Sequence, residues 1–167
     1  MRVGIGVLGS TIYAAAGAVM GSMNAGWFGL DREANAMLPW MGVGAALVVI
    51  AFSTSALRAG LRDAGGLGRV TQLLLVAGPI VYVLGWVVEF AILGTLALGV
   101  GLICLSIAVI RRRSVPFADR VLIVASAIGS LTWNTETLSA FVLVGVGLIW
   151  ALLSVRLLHS PVSVEGG

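Results

Sequence analysis

The sequence predicts an all-α membrane bundle: six transmembrane helices arranged as three hairpins, with both termini in the cytoplasm. Three observations lead there. The 167 residues are 59% hydrophobic and only 10% charged, where a soluble domain of this size carries about 25% charged residues. Mean hydropathy is +1.09, more apolar surface than one small core hides from water, so lipid is the expected solvent. Six apolar runs, each near the roughly 20 residues that cross about 30 Å of hydrocarbon, divide the chain. Finally, the charges alternate in sign from one inter-helix segment to the next.

The first run, Val3–Met23, has 21 residues. Arg2 ahead of it and Ala14-Ala15-Ala16 within it imitate a cleaved signal peptide, but the apolar stretch is long enough to span, which favours a retained helix. A 14-residue outer loop follows, Asn24–Met37, NAGWFGLDREANAM, the one polar segment varied enough to recognise a partner. The second run is Leu38–Leu57. The third and fourth, Val70–Val88 and Phe90–Ile110, are fused: Val70 to Ile110 is 41 residues with Glu89 the only charge. That is about 61 Å of helix, two crossings with little loop to spare. The chain is therefore expected to reverse near 89–94, with Gly94 supplying the backbone freedom. The fifth run, Phe117–Trp133, is the weakest because Asp119 and Arg120 stand at its start. The sixth is Leu138–Val155. The whole of 1–159 reads as one transmembrane domain, and 160–167 as a short cytoplasmic tail.

Charge sets the orientation. Arg2, Arg58, Arg62, Arg69, Arg111, Arg112, Arg113, Arg120 and Arg156, nine of the ten Arg, fall on one side of this layout. Asp31, Glu33, Glu89 and Glu136 fall on the other, with Arg32. An excess of basic residues marks the cytoplasmic face, which makes this a multi-pass plasma-membrane protein. All ten basic side chains are Arg and none is Lys, the codon habit of a GC-rich prokaryote. Arg111, Arg112 and Arg113 read as a topology determinant lying at the lipid headgroups. A net charge of +3 implies no nucleic-acid partner. The single Cys104 has no internal partner for a disulfide.

The chain also resembles itself. Trp86-Val87-Val88-Glu89 recurs as Trp133-Asn134-Thr135-Glu136, 47 residues on, and GVGLI at 99–103 returns at 145–149. Each copy runs on to an Arg, Arg111 or Arg156. The plan is three parallel two-helix units, a pattern known in transporters. Glycine, 23 residues, concentrates at small-xxx-small spacing, and Gly17, Gly21, Gly42, Gly101, Gly129 and Gly147 are read as helix-packing positions. These faces serve contacts within the chain, with copies of itself or with a protein partner. Pro79 is expected to kink the third helix.

Candidate chemistry is sparse. No metalloprotease, nucleophile-elbow or phosphate-loop motif occurs, nor a Cys/His cluster, so neither a cofactor nor a metal nor enzymatic activity is expected. Core hydroxyls, Ser10, Thr11, Tyr13, Ser126, Ser130 and Thr132 among them, are expected to bond back to their own helices or across to a neighbour. No buried acid or base lines a proton relay or ion path, which argues against an ion-driven pump. The outer tips carry the ligand-binding candidates: Asp31, Glu33, Glu89, Glu136, Trp86, Trp133 and Asn134, which converging would form an acidic vestibule for cations. Ordinary interfacial roles for the Trp and solvation of the turns by the acids account for the same residues. The expected function is that of a non-catalytic membrane component: an accessory, assembly or scaffolding subunit, or a self-associating bundle. The alternative is a small transporter or channel with that vestibule.

Overall fold

The computed structural model describes residues 1–27, 37–53, 65–84, 88–111, 115–132 and 138–159. Six helices run α1 Arg2–Asn24, α2 Leu38–Ser53, α3 Gly66–Leu84, α4 Val88–Arg111, α5 Phe117–Thr132 and α6 Val142–His159, the last preceded by a 3-10 turn at Leu138–Phe141. There is no strand among the described residues. α1 and the Leu93–Ile110 stretch of α4 are long and apolar enough to cross a membrane. Leu38–Phe52, Gly66–Val81 and Val142–Leu158 are apolar but shorter.

Local chemistry fixes several ends. α1 stops in a Schellman motif. Gly26 adopts φ +69°, a left-handed conformation that costs glycine nothing. It lets the Gly26 N–H reach the Met23 carbonyl at 3.0 Å and the Trp27 N–H the Ser22 carbonyl at 3.1 Å. α5 starts after Pro116, whose carbonyl accepts the N–H groups of Asp119 and Arg120, each at 3.1 Å. Asp119 thus lies in the first turn, where the helix dipole favours a negative charge. Pro79 lies inside α3 and has no N–H to give the Leu75 carbonyl.

The expected reversal at 89–94 is not found. α3 ends at Leu84 and α4 begins at Val88, so residues 89–94 lie inside α4. Gly94 is a buried residue inside α4. α3 begins at Gly66 rather than Val70 and ends at Leu84 rather than Val88, and α4 begins at Val88 rather than Phe90.

The helices form a closed ring. Each packs on its sequence neighbours, and α6 returns to pack on α1. Small residues make the seams. A Cβ on Gly9 would stand 2.6 Å from the Gly44 carbonyl oxygen, and one on Gly44 would stand 2.7 Å from the Gly9 carbonyl. In the α3–α4 seam Gly78 lies against Leu98 and Gly101 against Leu74. Gly17 faces Leu143, and Gly147 faces Ser10 and Ala14, across α1–α6. In each seam residue numbers rise on one helix as they fall on the other, so these neighbours are antiparallel.

Large apolar side chains point the other way. Leu93, Leu96, Val100, Ile103, Ile107 and Ile110 are all exposed along one stripe of α4, as are Val70, Leu73, Val76, Ile80 and Val83 along α3. Leu8, Ile50, Ile128 and Leu148 continue this belt on the other helices. Inside lie Gly, Ala and Ser with a few large residues.

A blind apolar lumen as the candidate functional site

Alternating helix direction sorts the described charges. Arg2, Arg69, Arg111, Arg120, Arg156 and Asp119 lie at one end of the ring, and Glu89 lies in the first turn of α4 at the other. On the α1, α2 and α6 side, the half nearer the Glu89 end is packed. Met20, Leu38, Met41, Ala140 and Leu143 are fully buried there, and Gly21 lets α1 close on the Phe141 ring. Trp27, exposed at the tip, packs its ring 5.7 Å from that of Phe141. At mid-height Tyr13 and Trp150 stack with centroids 4.6 Å apart and planes tilted by 43°.

The other half encloses a cavity of about 310 Å³, at the lower end of ligand-pocket sizes. Five helices wall it. From mid-height toward the Arg end run Ala45 to Phe52 on α2, Leu98 to Leu105 on α4 and Trp150 to Leu157 on α6. Ile123 and Ser126 of α5 continue the wall, and Gln72 and Val76 of α3, both exposed, form its edge where it reaches the surface. Each eight-residue span rises about 10 Å. The Ser126 hydroxyl donates to the Ile123 carbonyl at 2.8 Å, which leaves its oxygen as an acceptor.

At the Arg end stands a buried acid. Asp119 is 2% exposed. Its Oδ1 lies 2.7 Å from the Nε of Arg156, whose side chain is 45% exposed. That oxygen accepts no well-aligned hydrogen bond, so the contact is an ion pair by distance rather than a linear N–H···O bond. Asp119 and Ile123 are four residues apart on α5 and share a face, which puts the pair one turn beyond the cavity wall. Arg120 donates from Nε to the Val115 carbonyl at 2.6 Å. The sequence signal for this pair was faint: an Asp beside an Arg at a helix start reads as solvated.

Among the sequence candidates, Asp31, Glu33, Trp86, Trp133, Asn134, Glu136, Arg112 and Arg113 lie outside the described residues, as do the side chains of Glu89 and Arg111. Gly17, Gly21, Gly42, Gly101, Gly129 and Gly147 are all buried, and Gly129 stands against Val146 of α6. The hydroxyls bond back along their own helices: Ser10 to Gly6 at 2.7 Å, Thr11 to Val7 at 2.8 Å and Ser130 to Ser126 at 2.8 Å. Among the described residues no three of His, Cys, Asp or Glu converge as a metal site requires.

Comparison with family models, with curated proteins and with solved structures gives no match. The functional reading rests on the molecule alone.

Proposed function

We propose that the chain is a six-span integral membrane protein of a prokaryotic plasma membrane, with both termini cytoplasmic, acting as a non-catalytic component of the bilayer. The observation that carries this is the outward belt. Leu73 is 69% exposed and Leu148 63% exposed, and every helix turns residues of this kind outward while Gly and Ser face in. In water such a continuous apolar surface drives aggregation. In lipid it costs nothing, and small residues inside give the close packing that holds helices together there. The Arg-bearing end then faces the cytoplasm. The glycines described above stand in contacts within the chain, which leaves the larger apolar faces and the 24–37 loop for a partner protein.

The cavity favours a second reading, a small transporter caught closed on its Glu89 side. Native mass spectrometry of the protein extracted gently from its own membranes separates the two. A stoichiometric protein partner supports the accessory role. A lone chain or homo-oligomer carrying a polar small molecule overturns it in favour of transport.

A further inference from the structure

The geometry points to a lipid site: the lumen takes one acyl chain of an anionic phospholipid, whose headgroup rests on the arginines at its mouth. This rests on the membrane reading and adds a ligand to it. The wall is hydrocarbon over about 10 Å of helix height, with Ser126, Gln72 and the Trp150 indole as its few polar groups. A cavity of this character stays dry, because water needs several polar partners to be worth enclosing. Its wall then lacks contacts on one side, and an apolar guest restores them. In a bilayer the abundant guest of that shape is an acyl chain.

The mouth selects the head. Arg69 precedes Gln72 by three residues, Arg120 precedes Ile123 by three, and Arg156 adjoins the wall residue Leu157. Arg69 and Arg120 therefore stand about one helical turn beyond the wall and Arg156 beside its last residue, on three different helices. Asp119 is the only acid described at that end and is drawn to Arg156 at 2.7 Å. The balance is cationic, and guanidinium forks match phosphate oxygens. Met20, Leu38, Met41 and Leu143 pack the α1, α2 and α6 side beyond the lumen toward the Glu89 end, and the chain enters and leaves by the Arg end or between helices. It is held as a resident and is not conducted through.

The test uses the intact chain in vesicles of dioleoyl phosphatidylcholine containing dioleoyl phosphatidylglycerol. Flotation comes first: a chain that does not float with vesicles overturns the membrane reading and this site with it. A chain that floats is released into gentle detergent for native mass spectrometry. One phosphatidylglycerol per chain is expected, retained about tenfold over phosphatidylcholine, the scale of roughly one net surface charge or two. Filling the lumen with Ala45→Leu plus Ser126→Leu, or with Val48→Phe, should remove the bound lipid. Equal retention of the two lipids, or undiminished retention in a filled variant that floats, overturns the site alone. A second readout needs no change to the wall. In a variant keeping Trp150 as its one tryptophan, phosphatidylglycerol brominated along the chain should quench fluorescence at mole fractions where brominated phosphatidylcholine does not. Equal quenching by both likewise overturns it.

Discussion

Asp119 and Arg156 are an unequal pair. The acid is buried and the base half in solvent, so most of the desolvation cost falls on the carboxylate. Removing the base leaves that carboxylate uncompensated. Such losses run to about 3–5 kcal/mol for fully buried pairs, and the exposure of Arg156 brings the expectation for Arg156→Ala down to about 1–3 kcal/mol. Asp119→Asn removes the buried charge itself and should cost less. Asp119→Asn combined with Arg156→Ala should recover much of the loss of Arg156→Ala alone, because the interaction is then absent from both sides. Thermal midpoints of the three variants in lipid nanodiscs check this. A double variant as unstable as the sum of the singles would show that the two residues act apart. The sequence marked this pair only faintly, because Asp119 and Arg156 sit on different helices and it is the packing of α5 on α6 that brings the two side chains together.

At the scale of the element, two glycines on one helix make a matched experiment. A Cβ on Gly147 would lie 2.6 Å from the Ala14 Cβ and 2.8 Å from the Ser10 carbonyl oxygen, whereas one on Gly145 would meet nothing within 4 Å. Backbone on one helix must retreat to admit the first, at about 1–3 kcal/mol. The second should be neutral or stabilising, since alanine holds a helix better by up to about 1 kcal/mol. Gly147→Ala should therefore lower the melting point of the purified protein and Gly145→Ala should not; the reverse order would refute the α1–α6 seam. Gly9→Ala should behave like Gly147→Ala, at the α1–α2 seam. Six helices were legible because apolar runs of near-spanning length are broken by charges or Pro-bearing segments such as Arg113–Pro116. Helix ends were less so. Counting from Val70 ignored Gly66–Arg69, a stretch whose glycines hide its helical state, and the reversal was placed on residues that lie inside α4.

For the whole molecule, the belt makes a prediction that distinguishes lipid from water. Leu73→Arg or Leu148→Arg places a charge on an outward face near mid-helix. On insertion scales that costs about 2.5–3.5 kcal/mol at a bilayer centre, and the membrane-integrated yield should fall severalfold, read by fractionation of membranes washed with alkali. On the surface of a soluble protein either change would be nearly neutral, so an undiminished yield would sink the proposal. Sidedness follows separately. In a Cys104→Ala background, a cysteine at Trp27 and one at Gly65 should react with impermeant reagent from opposite sides of the membrane. Composition and the spread of arginine carry the proposed class and orientation. The lumen could not be read from either, because it is a property of five helices at once: Ala45, Gln72, Leu98, Ser126 and Trp150 have no spacing in common until the ring brings them together.

The ring also has a history in time. α1 is made well before α6, yet the Gly17 and Ala14 face of α1 lies against Ala140, Leu143 and Gly147, at and just before the start of α6. At ordinary synthesis rates of 5–20 residues per second, that face waits on the order of 10 s for its partner. Until then it offers any other helix a smooth, small-residue track. A chain that stalls before α6 keeps the track open for good, so α6 also removes the mark by which an unfinished copy differs from a finished one.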